Sequence, residues 1–327
     1  MYRIYIFLLA LTLGCVATAV AEDGNGGYGG AFLQVPIGAR PAGMGGAYLA
    51  VSDDGAGLLF NPAGASGIRK TLFSSSYRLM DLDRSLSYVA LAIPTAKLST
   101  LAFSWRYAGS GSVEARNTDG DKLGFELSQH NHQFTFLFAK RFENFFSAGL
   151  RGSYFHSQFA EMTAFSVSLD VGMMFYISNL FKRDKREKMS IQDIKAGIVV
   201  RNLGAEYRWN NEKYLVKYAT GVLPTEKDDE VPLEVGAGGS ARFLKRKLLV
   251  AADMLGDKES RFAFHGGAEY LISPQFTLRG GFSDGRVTAG TGYIFKFTSW
   301  VLAIDYAFSS DKAGAGSDHI FSFDVTF

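Results

Sequence analysis

The sequence predicts an all-β chain: a transmembrane antiparallel β-barrel of about 14 strands, with an N-terminal segment folded into its lumen as a hatch or plug. Three observations carry that reading. Beyond residue 70, apolar side chains alternate with small or charged ones at a period of two. Past the first 21 residues no apolar run reaches the roughly 18 residues that a spanning helix needs. The last residues, Asp-His-Ile-Phe-Ser-Phe-Asp-Val-Thr-Phe (Asp318 to Phe327), form an alternating strand that ends on an aromatic side chain.

Residues 1–21 read as a secretory signal: Arg3, an apolar run from Ile4 to Val16, then Ala19-Val20-Ala21 as a small-x-small cleavage site. The one cysteine, Cys15, lies inside that segment, so the mature chain is expected to carry no disulfide or thiol chemistry. A lipid-modified Cys15 is disfavoured, because Thr12 stands three positions before it where an aliphatic residue is required. A net charge of +2 offers no broad basic surface for nucleic acid. Aromatic residues make up 14% of the chain and glycines number 37, a composition suited to a membrane barrel.

Residues 22–70 differ from the rest of the mature chain. They are rich in Gly and Ala, show no sustained alternation, and carry Phe32, Leu33, Val35, Ile37, Leu49 and Phe60, too many apolar groups for a free tail. The expected home is the lumen, as short helical turns. Gly43, Gly45, Gly46, Ala47 and Ala50 would let the backbone lie close against the wall. Asp53 or Asp54 would cap a short helix. Asn61-Pro62 would end it and turn the chain into the barrel. A carboxylate pair serving a cation or proton relay is the competing reading of Asp53-Asp54. Gly43-x-Gly45-Gly46 makes no phosphate cradle, since no strand precedes it and no Lys-Ser/Thr comes after it.

Residues 71–327 should form the barrel. Fourteen runs alternate, near 71–78, 85–93, 98–108, 130–140, 145–156, 163–176, 193–203, 232–243, 247–255, 261–271, 275–283, 286–296, 299–309 and 318–327. In the sixth run, for example, Phe165, Val167, Leu169, Val171, Met173 and Phe175 alternate with Ala164, Ser166, Ser168, Asp170 and Gly172. Connections after even-numbered runs are tight, as periplasmic turns are, and the long ones come after odd-numbered runs. The exception is the stretch from Ile177 to Gln192, which is basic and reads as an extended periplasmic loop. Every proline falls in a turn, a loop, a strand start or the N-terminal segment, in keeping with its missing N–H.

Alternation also points Arg106, Arg151, Asp170, Lys195, Arg201, Glu234, Arg242, His265, Glu269, Arg279 and Asp305 inward. Both signs are present. A satisfied charge network is the plain expectation, and a gate whose pairs break when the hatch moves is the sharper one. His130 and His132 share a strand face, but two imidazoles without a third ligand are weak evidence for a metal. His156 and Ser157 are sequence neighbours on opposite strand faces, so they assemble no triad; neither catalysis nor a cofactor is expected. Trp105, Tyr107, Tyr154, Trp300, Tyr306 and Phe308 fit an interfacial aromatic girdle.

The run Gly38-Ala39-Arg40, then Met44-Gly45-Gly46-Ala47, Asp53-Asp54 and Asn61-Pro62-Ala63-Gly64 resembles the PorV/PorQ family, part of the wider FadL-like group of outer-membrane proteins. The resemblance spans essentially the mature chain. It implies a 14-strand barrel with a luminal hatch in which Arg40, Met44, Gly45, Asp53, Asp54, Asn61 and Pro62 form the gate. The closing strand resembles the C-terminal signal read by the barrel assembly machinery, with Phe323, Val325 and Phe327 on its lipid face. Two functions enter as expectations: association with type IX-like protein secretion and surface attachment, with secretion-system proteins as partners, or FadL-like transport of long-chain fatty acids or other hydrophobic small molecules. The external loop from Gly204 to Val231, with Tyr207, Trp209, Tyr214, Leu215, Val216 and Tyr218, leans towards the second.

Overall fold

The computed structural model describes residues 29–96, 98–116, 119–181, 190–211, 227–257, 262–283, 285–310 and 316–327. The expected signal segment, Cys15 and the loop residues Tyr214 to Tyr218 lie outside them. Eighteen strands are described: Leu72–Leu79 (β1), Ser85–Ala96 (β2), Ser99–Gly109 (β3), Val113–Arg116 (β4), Lys122–Leu127 (β5), Gln129–Phe142 (β6), Phe146–Phe159 (β7), Met162–Tyr176 (β8), Gln192–Leu203 (β9), Glu206–Asn210 (β10), Lys227–Glu230 (β11), Glu234–Phe243 (β12), Leu248–Asp257 (β13), Phe262–Leu271 (β14), Phe276–Ser283 (β15), Arg286–Lys296 (β16), Val301–Ser310 (β17) and Ser317–Thr326 (β18).

All but β4, β5, β10 and β11 join in sequence into a closed antiparallel barrel of 14 strands. The seam is β1 against β18, running from Leu72↔Thr326 to Leu79↔His319. Closure leaves the wall of the barrel without an unpaired edge, as an apolar surrounding would require of any sheet. Each of the 14 alternating runs coincides with a barrel strand to within a few residues. Pro94, expected in a turn, instead lies near the end of β2, at a register shift against β3. The alternation sets the faces: Phe103, Phe134, Phe165, Val167 and Leu169 are exposed on the outside, while Ser104, Thr135, Ser166 and Asp170 are buried within.

Two of the long connections carry hairpins that the alternation does not reveal. β4 and β5 pair with each other alone, whereas β10 and β11 extend the sheet from β8. The handover has a local cause. In β9, Asn202 takes a left-handed φ of 62° at a register shift against β8. Its N–H leaves the ladder for Asp170 Oδ1 (2.7 Å), and its side chain donates to Pro232 O (3.0 Å). This bulge bends β9 away, and β10 takes its place on β8, Arg208 opposite Phe165.

The hatch fills the lumen with short helical turns: a 3-10 turn at Ala31–Gln34, helix α1 at Ala39–Gly43, helix α2 at Gly57–Phe60 and a second 3-10 segment at Pro62–Gly67. Ile37, Leu58, Leu59, Ala65 and Ile68 share a buried core with wall residues Leu72, Leu86, Tyr88 and Leu137. Met44, Tyr48 and Val51 pack on Leu249 and Ala251.

Candidate functional site: the interface of hatch and wall

Hatch and wall approach backbone to backbone. The tight turn at Met44-Gly45 lies on a flat strip of wall glycines in β14 and β15. A Cβ built on Gly267 would stand 2.2 Å from Met44 O, and one on Gly281 would stand 2.2 Å from Gly45 N. Gly45 itself, at φ +64°, has no room for a side chain against Phe282 and Gly266. The predicted close packing of the hatch is therefore two-sided, since wall and hatch both give up their side chains.

Short helices leave carbonyls unpaired at their C-terminal ends, and wall arginines take them up. Arg106 donates to Phe32 O (2.6 Å) and Val35 O (2.5 Å), and Arg78 donates to Pro36 O (2.6 Å). At the end of α2, Arg151 reaches Leu58 O (2.8 Å) and Arg201 reaches Phe60 O (2.7 Å). Carboxylates on the wall keep three of these cations compensated: Asp318 pairs with Arg78, Asp170 with Arg151 (2.5 Å) and Glu234 with Arg201 (3.3 Å). Arg106 has carbonyl partners and no acidic one among the described residues.

At α1 lies the densest charge cluster among the described residues. Arg40 forks onto Glu269 (2.7 and 3.1 Å) and reaches Asp53 (2.6 Å) and Asp54 (3.2 Å). From the wall, Arg279 bridges Glu269 (2.9 Å) and Asp305 (2.5 Å), and Lys195 stands 3.9 Å from Asp53. Asp54 also accepts from Gly57 N (2.8 Å), the first residue of α2, and from Tyr48 OH (2.5 Å). Capping and ion pairing thus fall on the same aspartate.

Electrostatics separates the two neighbouring acids. Burial tends to raise Asp53, but Arg40 and then Lys195 outweigh it and hold its carboxyl below the usual range. Burial raises Asp54, Arg40 offsets this only in part, and the charge on Asp53 adds to the rise. Burial opposes charge on Arg40, yet Glu269, Tyr48 and the two aspartates overcome it and keep the guanidinium protonated.

Other anchors come from neutral groups. Asn61 donates to Leu49 O (2.9 Å) and to Met173 O (3.1 Å) on the wall, and its Oδ1 caps the 3-10 segment by accepting from Ala63 N (3.1 Å). Pro62, next to it, sits over Gly149 and Gly172. Ser322 accepts from Ala39 N (2.7 Å) at the start of α1. Asp253 accepts from both Tyr48 N (2.5 Å) and Leu49 N (2.7 Å).

The structure thus brings Arg40, Asp53 and Asp54 to Glu269, Arg279 and Asp305, and brings Arg106, Arg151, Asp170, Arg201 and Glu234 to the helix ends. Arg242 stands apart: it faces Asp193 (4.0 Å) and Arg246 O (3.4 Å) beside the turn after β12. His265 joins the hatch contact, its Nδ1 lying 2.9 Å from Gly45 O. Arg78, Tyr48, Tyr88 and Asp253 escaped the sequence reading. For Arg78 the signal existed in strand parity, because Ser74, Ser76 and Arg78 are all buried on one face. His130 and His132 lie on the outer face against Tyr107 (2.8 Å) and Trp105 (3.3 Å), and His156 stacks beside His132 while Ser157 points inward to Asn131 (2.6 Å).

No protein-family model and no curated sequence matches the chain. Solved structures do. The toluene transporter TbuX of Ralstonia pickettii superposes with a TM-score of 0.62 at 13% identity, covering 89% of this chain and 98% of that one. The toluene transporter TodX of P. putida gives 0.60 at 11%, covering 89% and 98%. A FadL homologue of Pseudomonas aeruginosa gives 0.55 at 12%, covering 90% and 98%. At these identities the likeness is one of architecture: the chain has the fold of the FadL-type barrels.

Proposed function

We propose that this protein is an outer-membrane channel for hydrophobic small molecules, with the hatch as its gate. The observation that carries the reading is the layering of the lumen. Beneath the external hairpin lies a buried apolar cluster of Phe155, Ala164, Ala205, Tyr207 and Val231, and elsewhere along the hatch charged groups on both sides hold it to the wall. An apolar solute would be received in the first layer and stopped by the second until the Arg40 latch opens. The barrels that share this fold are transporters of toluene and a FadL homologue, which supports the same reading.

The secretion-associated reading rests on the hatch motif. Four residues of that motif have mechanical roles, for Arg40 latches, Asp54 caps, Gly45 permits close approach and Asn61 anchors. These roles fit a hatch whatever the cargo, and the likeness to transporter barrels supports transport over secretion. The test is uptake of radiolabelled toluene and of a long-chain fatty acid by cells lacking other such channels, with and without this protein. Faster uptake of either supports transport. Unchanged uptake of both, with large secretion proteins co-purifying, would refute it.

A further inference from the structure

The external layer contains a slot in which the protein's own side chain sits where a guest would. Phe32 and Leu33, partly buried residues of the first hatch turn, pack against the buried cluster of Phe155, Ala164, Ala205, Tyr207 and Val231, with Trp209 alongside. The walls are aromatic: Phe155 meets Tyr207 edge-on at 6.2 Å, and Tyr207 lies 6.1 Å from Trp209. The Arg106 guanidinium stands 5.5 Å over the Phe32 ring. A narrow cavity of about 10 Å³ opens beside Leu33, bounded by Gly30, Asn202 and Val231. That is room for about one water, so the neighbouring space offers a ring no alternative seat.

Two polar atoms in the slot are unsatisfied. The Tyr207 hydroxyl is buried without a hydrogen-bond partner among the described residues, and so is Arg106 Nε. A buried hydroxyl with no partner costs free energy unless something accepts its proton. Phe32 cannot, having no polar atom in its side chain. The slot is therefore lined by rings and apolar groups, already receives one phenyl side chain, and holds a donor that this side chain leaves unused.

We infer that this slot is a binding site for a monocyclic aromatic compound bearing a hydrogen-bond acceptor, such as an aryl ketone, and that Phe32 is the built-in occupant it displaces. The Tyr207 hydroxyl donates to the acceptor, and Phe155, Trp209 and Val231 enclose the ring. This deepens the transport reading and rests on it for its biological purpose, but the site stands or falls by binding alone.

The experiment uses full-length protein in nanodiscs, titrated calorimetrically with acetophenone and with toluene, for wild type, Phe32→Ala, Phe32→Trp and Phe32→Ala/Tyr207→Phe. Heat-modifiable migration of each variant confirms that its barrel is formed. Phe32→Ala should bind both probes at least about tenfold more tightly than wild type, since no tethered ring competes. It should prefer acetophenone to toluene by roughly fivefold, the worth of one neutral hydrogen bond, and the added Tyr207→Phe change should abolish that preference. Phe32→Trp should bind neither. Equal affinity in wild type and Phe32→Ala would overturn the slot, and a preference for acetophenone that survives Tyr207→Phe would overturn the role of the hydroxyl. Binding as expected together with no toluene uptake by cells would refute the transport reading and leave the site standing.

Discussion

Gly281→Ala isolates the hatch from the barrel. Gly281 lies within β15, paired with Gly267 and Thr288, at a backbone conformation an alanine adopts freely. Its added methyl would stand 2.2 Å from Gly45 N and 2.4 Å from Met44 C, both backbone atoms that no rotamer change can move. To restore an ordinary contact of 3.4 Å the hatch turn must retreat by about 1.2 Å. A retreat of that size breaks the Gly45 O contact to His265 (2.9 Å) and the Thr288 bond to Gly43 O (3.3 Å). Two neutral hydrogen bonds at about 1 kcal/mol each give a loss of about 2 kcal/mol in docking, or roughly a 30-fold rise in the undocked fraction. Gly280→Ala is the matched control, because its methyl faces the outside with only Thr288 O at 4.0 Å. Planar-bilayer recordings should show frequent openings for Gly281→Ala and wild-type behaviour for Gly280→Ala. Identical conductance in the two variants would refute the claim that hatch and wall are held by backbone contact.

Acid should act on the latch in two opposed stages. Asp54, raised by burial, favours its protonated form in the docked state, so docking strengthens as pH falls through its raised value towards 3.8. Asp53, lowered by Arg40 and Lys195, supports docking above its unfolded value, and that support is lost as pH falls through its depressed value, below 3.8. Leak conductance against pH should therefore pass through a minimum; Asp54→Asn should flatten the upper limb, Asp53→Asn should remove the lower one, and a monotonic wild-type curve would contradict the pairing. Arg151→Ala strands the buried Asp170 and should cost about 3–5 kcal/mol, read as a lower temperature of heat-modified migration, with much of it recovered in Arg151→Ala/Asp170→Ala. Deleting Phe327, an exposed aromatic at the seam whose N–H bonds Thr71 O (2.9 Å), should lower surface yield in cells while leaving refolding into detergent intact. Equal yields would remove the closing residues from the assembly signal.

Most of the barrel was legible because a closed sheet in lipid imposes one rule on every strand, apolar outside and small or polar within. That rule located all the barrel strands and the facing of Arg106, Arg151, Asp170 and Glu269. The hairpin β10–β11 was less legible, although Glu206, Tyr207, Arg208 and Trp209 do alternate; five residues inside a long loop are a weak signal. The latch was visible only in parts. Arg40 and Asp53-Asp54 stand out in sequence, but Glu269 lies 229 residues from Arg40, and parity fixes a side chain's face without naming its partner. Asp253 was hidden for another reason: it serves backbone N–H groups of Tyr48 and Leu49, which carry no signature of the bond they make.

A solute should cross only when the hatch leaves the wall, and a reversible tether tests this most directly. Gly43 and Gly290 approach with each built Cβ 3.2 Å from the other's Cα, close enough for Gly43→Cys/Gly290→Cys to form a disulfide in a mature chain otherwise expected to lack cysteine. Toluene uptake by cells carrying the oxidised variant should fall to the level of cells without the protein and return on reduction. Uptake that continues undiminished through the oxidised, tethered barrel would contradict the account.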